Sequence, residues 1–427
     1  MQKPGAGVHF IVIHAKERTR ELAFAIIDII EKGRFANSVI QKKFSVNKHW
    51  SDDERSLVAE SVYFIVRNWR RLWYSLDTTE RFDTASVMNV CAAAFVLNRV
   101  SMNRIVKQMV HVDPERIQKR WNEAEHTRQL KYSLPDWLDK LGAELYAVRW
   151  ESVIEALHRE PEVALRVNTL VTTREKLDLA LGRQDFAAHT TELSADALIL
   201  DERANVFGLE EFKKGMFEVQ DAGSQCIAPF CELSAGMRVI DACAGSGGKA
   251  LHLAALMKNK GRIVALDTED WKLKDLEKRA RRAGVSIIET RRIDSTKVVK
   301  RLHESAERVL LDVPCSGLGV LRRNPDTKWH LAIEDFTRFV TIQRDILTRY
   351  SKMVAPQGKL IYATCSILPM ECEDQVQWFL KENPQWALEQ ERRLQPDVDD
   401  CDGFYMARLI KQTTMPKMMS DDSRDSQ

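Results

Sequence analysis

A chain of 427 residues with 44% apolar and 30% charged side chains has the length for two or three domains and the composition of a soluble globular protein. It contains no run of 18 apolar residues, and the stretch after Met1 is too short and too broken by His9 and His14 for a signal peptide, so neither a membrane span nor export is expected. Net charge is only +2, and eight cysteines without C-x-x-C spacing speak against a zinc site or a disulfide scaffold; no metal and a reducing cytoplasm are expected.

Residues 1–130 read as helical and are more basic than acidic. ELAFAIIDIIEKG (21–33) has helical apolar spacing and ends on Gly33, a C-cap residue. Residues 51–76 open with Ser51 and Glu54 at capping-box spacing before a long amphipathic run. Residues 84–100 are apolar nearly all round, as a central bundle helix is, with Cys91 as core filler. No catalytic constellation occurs here.

Residues 131–230 suggest a small α+β subdomain. SLPDWLDKLGAELYAVRWESVIEALH gives two short helices, EVALRVNTL and ALILDE are strand-like, and REKLDLALGRQ between them is helical. FEVQDAGSQ then leads into the next domain.

Residues 231–413 alternate strand and helix, with strands at 238–243, 262–267, 286–294, 308–314, 359–365 and 404–410. Such alternation implies right-handed crossovers and an α/β, doubly wound parallel sheet, whose ligands bind at the carboxyl ends of the strands. Those ends deliver Asp241, Asp267, Asp294, Asp312 and Cys365. Residues 414–427 are acidic and expected to be a flexible tail. The clusters Lys278-Arg279, Arg281-Arg282, Arg291-Arg292 and Arg322-Arg323 are solvated helix faces or a surface for a polyanion.

DACAGSGGKA (241–250) turns from a strand through glycines into a helix. A Walker A loop fails, because Cys243 and Ala250 stand where Gly and Ser/Thr are needed. A dinucleotide loop lacks its third glycine. An S-adenosylmethionine loop remains, with Asp267 accepting from the ribose hydroxyls and Asp294 near the adenine. An acidic residue at one strand end is often only a helix cap; two in succession beside a glycine loop favour the cofactor.

LLDVPCSGLGV (310–320) and KLIYATCS (359–366) each end a strand on a cysteine. Methylation of N or O atoms needs no thiol. C5 of a pyrimidine does, because attack of a thiolate on C6 turns the ring into an enamine able to take a methyl group. An acid at N3 must neutralise the ring, and Asp312, protonated or sharing a proton, is placed for it. One thiol makes the bond and the other helps to break it. Cysteines at strand ends are ordinarily inert, and Cys226, Cys231, Cys372 and Cys401 are read so.

FEVQDAGSQ, DACAGSGGK, LLDVPCSGLGVLRRNPDTKW, YATCS and DGFYMARL, in this order, resemble the RNA cytosine-C5 methyltransferases of the RsmB/NSUN type over about residues 131–411. Residues 1–130 more weakly resemble the NusB-like RNA-binding domain of the bacterial small-subunit rRNA member. The resemblance implies a Rossmann-like methyltransferase domain with Cys365 as nucleophile and Cys315 assisting product release. It implies S-adenosyl-L-methionine bound by Cys243, Ala244, Gly245, Ser246, Gly247, Gly248, Lys249, Asp267, Asp294 and Asp312. Ser246 replaces the proline usual in the family, and Ala250 a small hydroxyl residue. A monomer acting on 16S rRNA is expected; tRNA, or a catalytically decayed assembly factor that only binds RNA, are the alternatives. RRNPDTKW (322–329) forms a substrate loop in which Arg322 and Arg323 pair with phosphate and Trp329 stacks on a base or packs. The target base must be flipped or single-stranded.

Overall fold

The computed structural model describes residues 15–98 and 112–412, so the tail 414–427 lies outside the described residues. Two compact units form: residues up to Glu160 together with Val320–Asp335, and Pro161–Gly319 together with the chain from Phe336 onward.

The first unit is helical. Its helices include Ala15–Ile30, Ala36–Val46, Asp52–Arg67, Trp69–Leu76, Thr84–Leu97, Pro114–Glu123, Asp136–Tyr146 and Trp150–His158. The capping box at Ser51 forms: the Glu54 amide donates to Ser51 Oγ (3.3 Å) and the Ser51 amide to Glu54 Oε2 (2.8 Å). The expected single run over 51–76 breaks at Asn68, whose side-chain amide donates to the Phe64 carbonyl (3.0 Å), an asparagine competing for helix hydrogen bonds. Cys91 is buried in the core between Val90 and Ala92, as core filler should be. The helices continue to His158, past residue 130, because Arg67 donates to the His158 carbonyl (3.2 Å) and Arg70 pairs with Asp136 (2.6 Å).

Val320–Asp335 belongs to this helical unit although the chain on both sides belongs to the other. Asp326 accepts from the Ala36 amide (3.0 Å), Lys328 Nζ donates to the carbonyls of Arg67 (2.9 Å) and Tyr132 (3.2 Å), and Trp329 Nε1 donates to that of Val66 (2.8 Å). Of the two expected roles for Trp329, packing is the one observed: it lies against the helical core. Arg322 is buried, and its carbonyl accepts from Arg67 (2.7 Å), which removes it from a phosphate on an incoming RNA.

The second unit holds two sheets. The smaller contains β1 (Ala164–Val167), β2 (Ala188–Thr191), β3 (Ser194–Leu200) and β4 (Phe217–Val219) in the antiparallel order β2-β3-β1-β4. The larger contains β5 (Arg238–Asp241), β6 (Arg262–Asp267), β7 (Ile288–Arg292), β8 (Ala306–Asp312), β9 (Val354–Thr364), β10 (Trp386–Leu394) and β11 (Phe404–Lys411), in the order β10-β11-β9-β8-β5-β6-β7. Strands β5 to β9 run parallel; β11 and β10 are added antiparallel. The inner parallel strands β5, β6, β8 and β9 carry apolar runs where both faces are covered, and Ile240, Val264, Leu311, Leu360 and Tyr362 are fully buried, whereas the edge strand β7 is polar and half-exposed. This is a doubly wound, Rossmann-like architecture. Strand order reverses between β5 and β8, so the crevice for a ligand opens at their carboxyl ends.

Candidate active site

The loop after β5 is held from three sides. Gly245 (φ +53°) and Gly247 (φ +85°) take the left-handed conformation, and a Cβ on Gly247 would lie 2.4 Å from Leu276 Cγ. Asp267, at the end of β6, accepts from the Gly245 amide (2.9 Å) and the Glu269 amide (2.8 Å). Two arginines hold the loop carbonyls: Arg279 donates to Ser246 (2.8 Å) and Arg166, on β1, to Gly248 (2.5 Å). Arg279 is in turn fixed by Glu218 of β4 (2.9 Å), which also pairs with Arg282. The small sheet therefore builds the back of the loop. Sequence reasoning missed Arg166, Glu218 and Arg279; the one available signal was a charged residue inside each of the apolar runs ALRV and FEV.

Asp241 is almost fully buried, and neither carboxylate oxygen has a partner. Burial, and then the charge of Asp312, raises its pKa to about 7. Burial, reinforced by Asp241, likewise keeps Cys243 a thiol. Asp294 is exposed at the end of β7 and lines a cavity of about 660 Å³ together with Thr268, Ile293, Val299 and Tyr350. Its wall also carries Lys300, His303, Arg349 and Lys352, and neither Asp267 nor any residue of the 243–249 loop lines it. The left-handed glycines and the Asp267 carboxylate beside them fit S-adenosylmethionine.

Beside the loop, Lys249 Nζ donates to Asp312 Oδ2 (2.5 Å) at the end of β8. Burial opposes the ammonium charge, but Asp312 and then Cys365 outweigh it, and the Lys249 pKa is raised. Lys249 therefore keeps its proton and pairs with Asp312 as an ammonium.

Because β8 and β9 are parallel and in register through Asp312 and Ala363, their exits lie side by side. Cys315 Sγ and Cys365 Sγ are 3.3 Å apart. That contact, then burial, holds the Cys315 pKa well above the ordinary thiol range, so Cys315 keeps its proton. The loops are also tied through Gly319, whose amide donates to the Cys365 carbonyl (3.0 Å) and whose carbonyl accepts from the Gly403 amide (2.8 Å). A Cβ on Gly319 would meet the Gly403 oxygen at 2.2 Å, which explains the second glycine of PCSGLGV, and a Cβ on Gly403, the glycine of DGFYMARL, would meet Ile367 Cγ2 at 2.9 Å and Gly319 Cα at 3.1 Å. Cys226, Cys231, Cys372 and Cys401 are buried; Cys372 lies next to the Cys365 loop, with its sulfur 3.3 Å from Thr364 Oγ1 and donating to the Ser366 carbonyl (3.5 Å). Among the described residues no cluster could hold a metal ion and no helix is long and apolar enough to cross a membrane.

Residues 230–410 match the family model of the 16S rRNA methyltransferase RsmB/F, and residues 134–207 that of the ferredoxin-like domain of the same methyltransferases. The chain is 30% identical to ribosomal RNA small subunit methyltransferase B of Shewanella oneidensis over 92% of its own length and 98% of that protein's. Among solved structures it is similar to PH0851, with a TM-score of 0.75 and 24% identity over 91% of this chain and 98% of that one. It is also similar to NSun6 from Pyrococcus horikoshii, solved with an S-adenosylmethionine analogue, with a TM-score of 0.60 and 21% identity over 65% of this chain and 98% of that one.

Proposed function

The chain belongs to the 16S rRNA methyltransferase RsmB/F family, and from that premise we propose that it forms 5-methylcytosine in small-subunit ribosomal RNA through a transient bond between Cys365 and C6 of the target base. That it is an S-adenosylmethionine-dependent RNA methyltransferase follows from the family. The cytosine-C5 chemistry is supported by one observation above all: two thiols 3.3 Å apart at adjacent strand exits, beside the cofactor loop. An enzyme acting on nitrogen or oxygen would have no use for them.

Bound in the loop, the cofactor supplies a methyl group on a sulfonium, an electrophile that C5 of an unmodified cytosine is too weakly nucleophilic to attack. The chain's residues raise that nucleophilicity. Cys365, in contact with Cys315 and beside the Lys249 ammonium, attacks C6 as the thiolate and forms the sulfur–carbon bond. A proton passes from Lys249 to N3 through Asp312, so the electron pair from the C5–C6 double bond becomes available at C5. After C5 is methylated, a base takes its proton, the double bond re-forms, N3 returns its proton, and the sulfur leaves. Cys315, still protonated, lies where it can protonate the departing sulfur. The loop residues 243–249, with Asp267 and Asp294, hold the cofactor.

Replacing the nucleophile separates chemistry from binding. Cys365→Ala should reduce methylation to background while the dissociation constant for S-adenosylmethionine stays within about twofold, since no loop contact is altered. Bisulfite sequencing of rRNA incubated with wild type and variant reads the outcome; residual 5-methylcytosine at the wild-type rate would rule the reading out.

A further inference from the structure

A buried carboxylate outside the roles assigned above ties the two thiol-bearing loops together. Glu371, in the turn Pro369–Glu371 that follows β9, is fully buried. Its Oε1 accepts from the Ser316 amide (2.8 Å) and from Gln343 Nε2 (3.1 Å). Its Oε2 accepts from the hydroxyls of both Ser316 and Ser366, each at 2.5 Å. Ser316 directly follows Cys315 and Ser366 directly follows Cys365. Gln343 adds a bond to the Pro314 carbonyl (3.0 Å), one residue before Cys315, and the Glu371 carbonyl is fixed by the Tyr362 hydroxyl on β9 (2.8 Å).

All four donors are neutral, so this carboxylate is buried without a cationic partner in that set, a costly arrangement if packing were its only purpose. What a carboxylate offers here is that it only accepts. Both seryl hydroxyls must point at one oxygen, and the two loops are thereby held in one relative geometry.

We propose that Glu371 is a positioning residue that sets the separation of Cys315 and Cys365 and so governs release of the methylated product. This rests on the covalent reading above. Attack on C6 requires Cys365 alone, whereas transfer of a proton from Cys315 to the departing sulfur requires both thiols at fixed distance. Loosening the tie therefore slows release more than adduct formation.

Glu371→Gln is the informative change. It keeps the shape, but puts an NH₂ group against either the Ser316 amide and Gln343 or the two hydroxyls. The double variant Ser316→Ala/Ser366→Ala removes the same tie from the other side and decides the matter if the glutamine variant does not fold. Reactions with labelled rRNA are quenched in denaturant and resolved on a gel, with Cys315→Ala alongside. Either Glu371→Gln or the double variant should accumulate protein–RNA adduct, with turnover lowered about tenfold and the dissociation constant for S-adenosylmethionine and the melting temperature little changed. If Cys315→Ala accumulates adduct and neither tie variant does, Glu371 has no part in release and the proposal fails. Simultaneous loss of adduct, cofactor binding and melting temperature would make Glu371 merely structural. If Cys315→Ala itself accumulates none, the underlying covalent reading falls, and the proposal with it.

Discussion

Asp241 shows how one side chain couples the cofactor loop to pH. Its carboxyl is buried beside Asp312 without a hydrogen-bond partner, and its pKa rises from 3.8 to about 7. In the unfolded chain it ionises near its ordinary value, so between about pH 4 and pH 7 the unfolded state releases a proton that the folded state retains. Stability from this group is fully present below pH 4 and is lost as pH rises through 7. Asp241→Asn removes that term. The variant should melt at least as high as wild type at pH 8 and show a flatter dependence of melting temperature between pH 5 and pH 7, read by calorimetry. A variant less stable than wild type at pH 8, with the slope unchanged, would show that the carboxylate has a partner when charged. The polar strand ends, including Asp241, were legible in the sequence because each interrupts an apolar run. What the sequence did not disclose is whether such a residue is satisfied. Asp267 and Asp241 look alike on paper, yet one accepts two backbone amides and the other none.

Among elements, the inner parallel strands were readable because burial on both faces writes them as apolar runs, although the edge strand β7 is polar. β10 was not read: WALEQERRL is charged along an exposed edge, the composition that discourages pairing with another chain, and it lacks the apolar alternation of a half-buried strand. Nor was the support of the cofactor loop visible. Arg166, Glu218 and Arg279 come from three elements far apart in sequence, and no local pattern links them. The loop itself is the opposite case, since its glycines announce left-handed backbone. Gly247→Ala forces an L side chain to φ +85° and puts a Cβ 2.4 Å from Leu276 Cγ, so the loop must move. The strain, about 1–3 kcal/mol, should appear as a roughly 10- to 100-fold weaker dissociation constant for S-adenosylmethionine with the fold retained. Calorimetric titration measures it; unchanged affinity would mean that the loop tolerates a second conformation.

For the molecule as a whole, the sequence suggests domains cut end to end, and the chain does otherwise. Val320–Asp335 follows the Cys315 loop in sequence and includes the first turn of the helix Ile333–Tyr350, but it is part of the helical unit. A motif so rich in arginine, lysine and tryptophan invites a nucleic-acid reading, because composition cannot distinguish a cation facing solvent from one buried against carbonyls. Lys328 is the second kind. Burial, then the charge of Arg67, holds its pKa well below the usual lysine range, and its Nζ donates to the carbonyls of Arg67 and Tyr132. Trp329 carries the apolar share of the same anchor, with its indole N–H on the Val66 carbonyl. Truncating it should destabilise the helical unit by about 2–3 kcal/mol, less than a fully buried tryptophan because Trp329 is only partly buried. Trp329→Ala would then unfold at lower urea concentration by a probe in the helical unit, while S-adenosylmethionine affinity, set by the loop after β5, stays within about twofold. Were stability instead unchanged and RNA affinity reduced tenfold or more, Trp329 would be stacking on a base, and the anchor would have to rest on Asp326 and Lys328 alone.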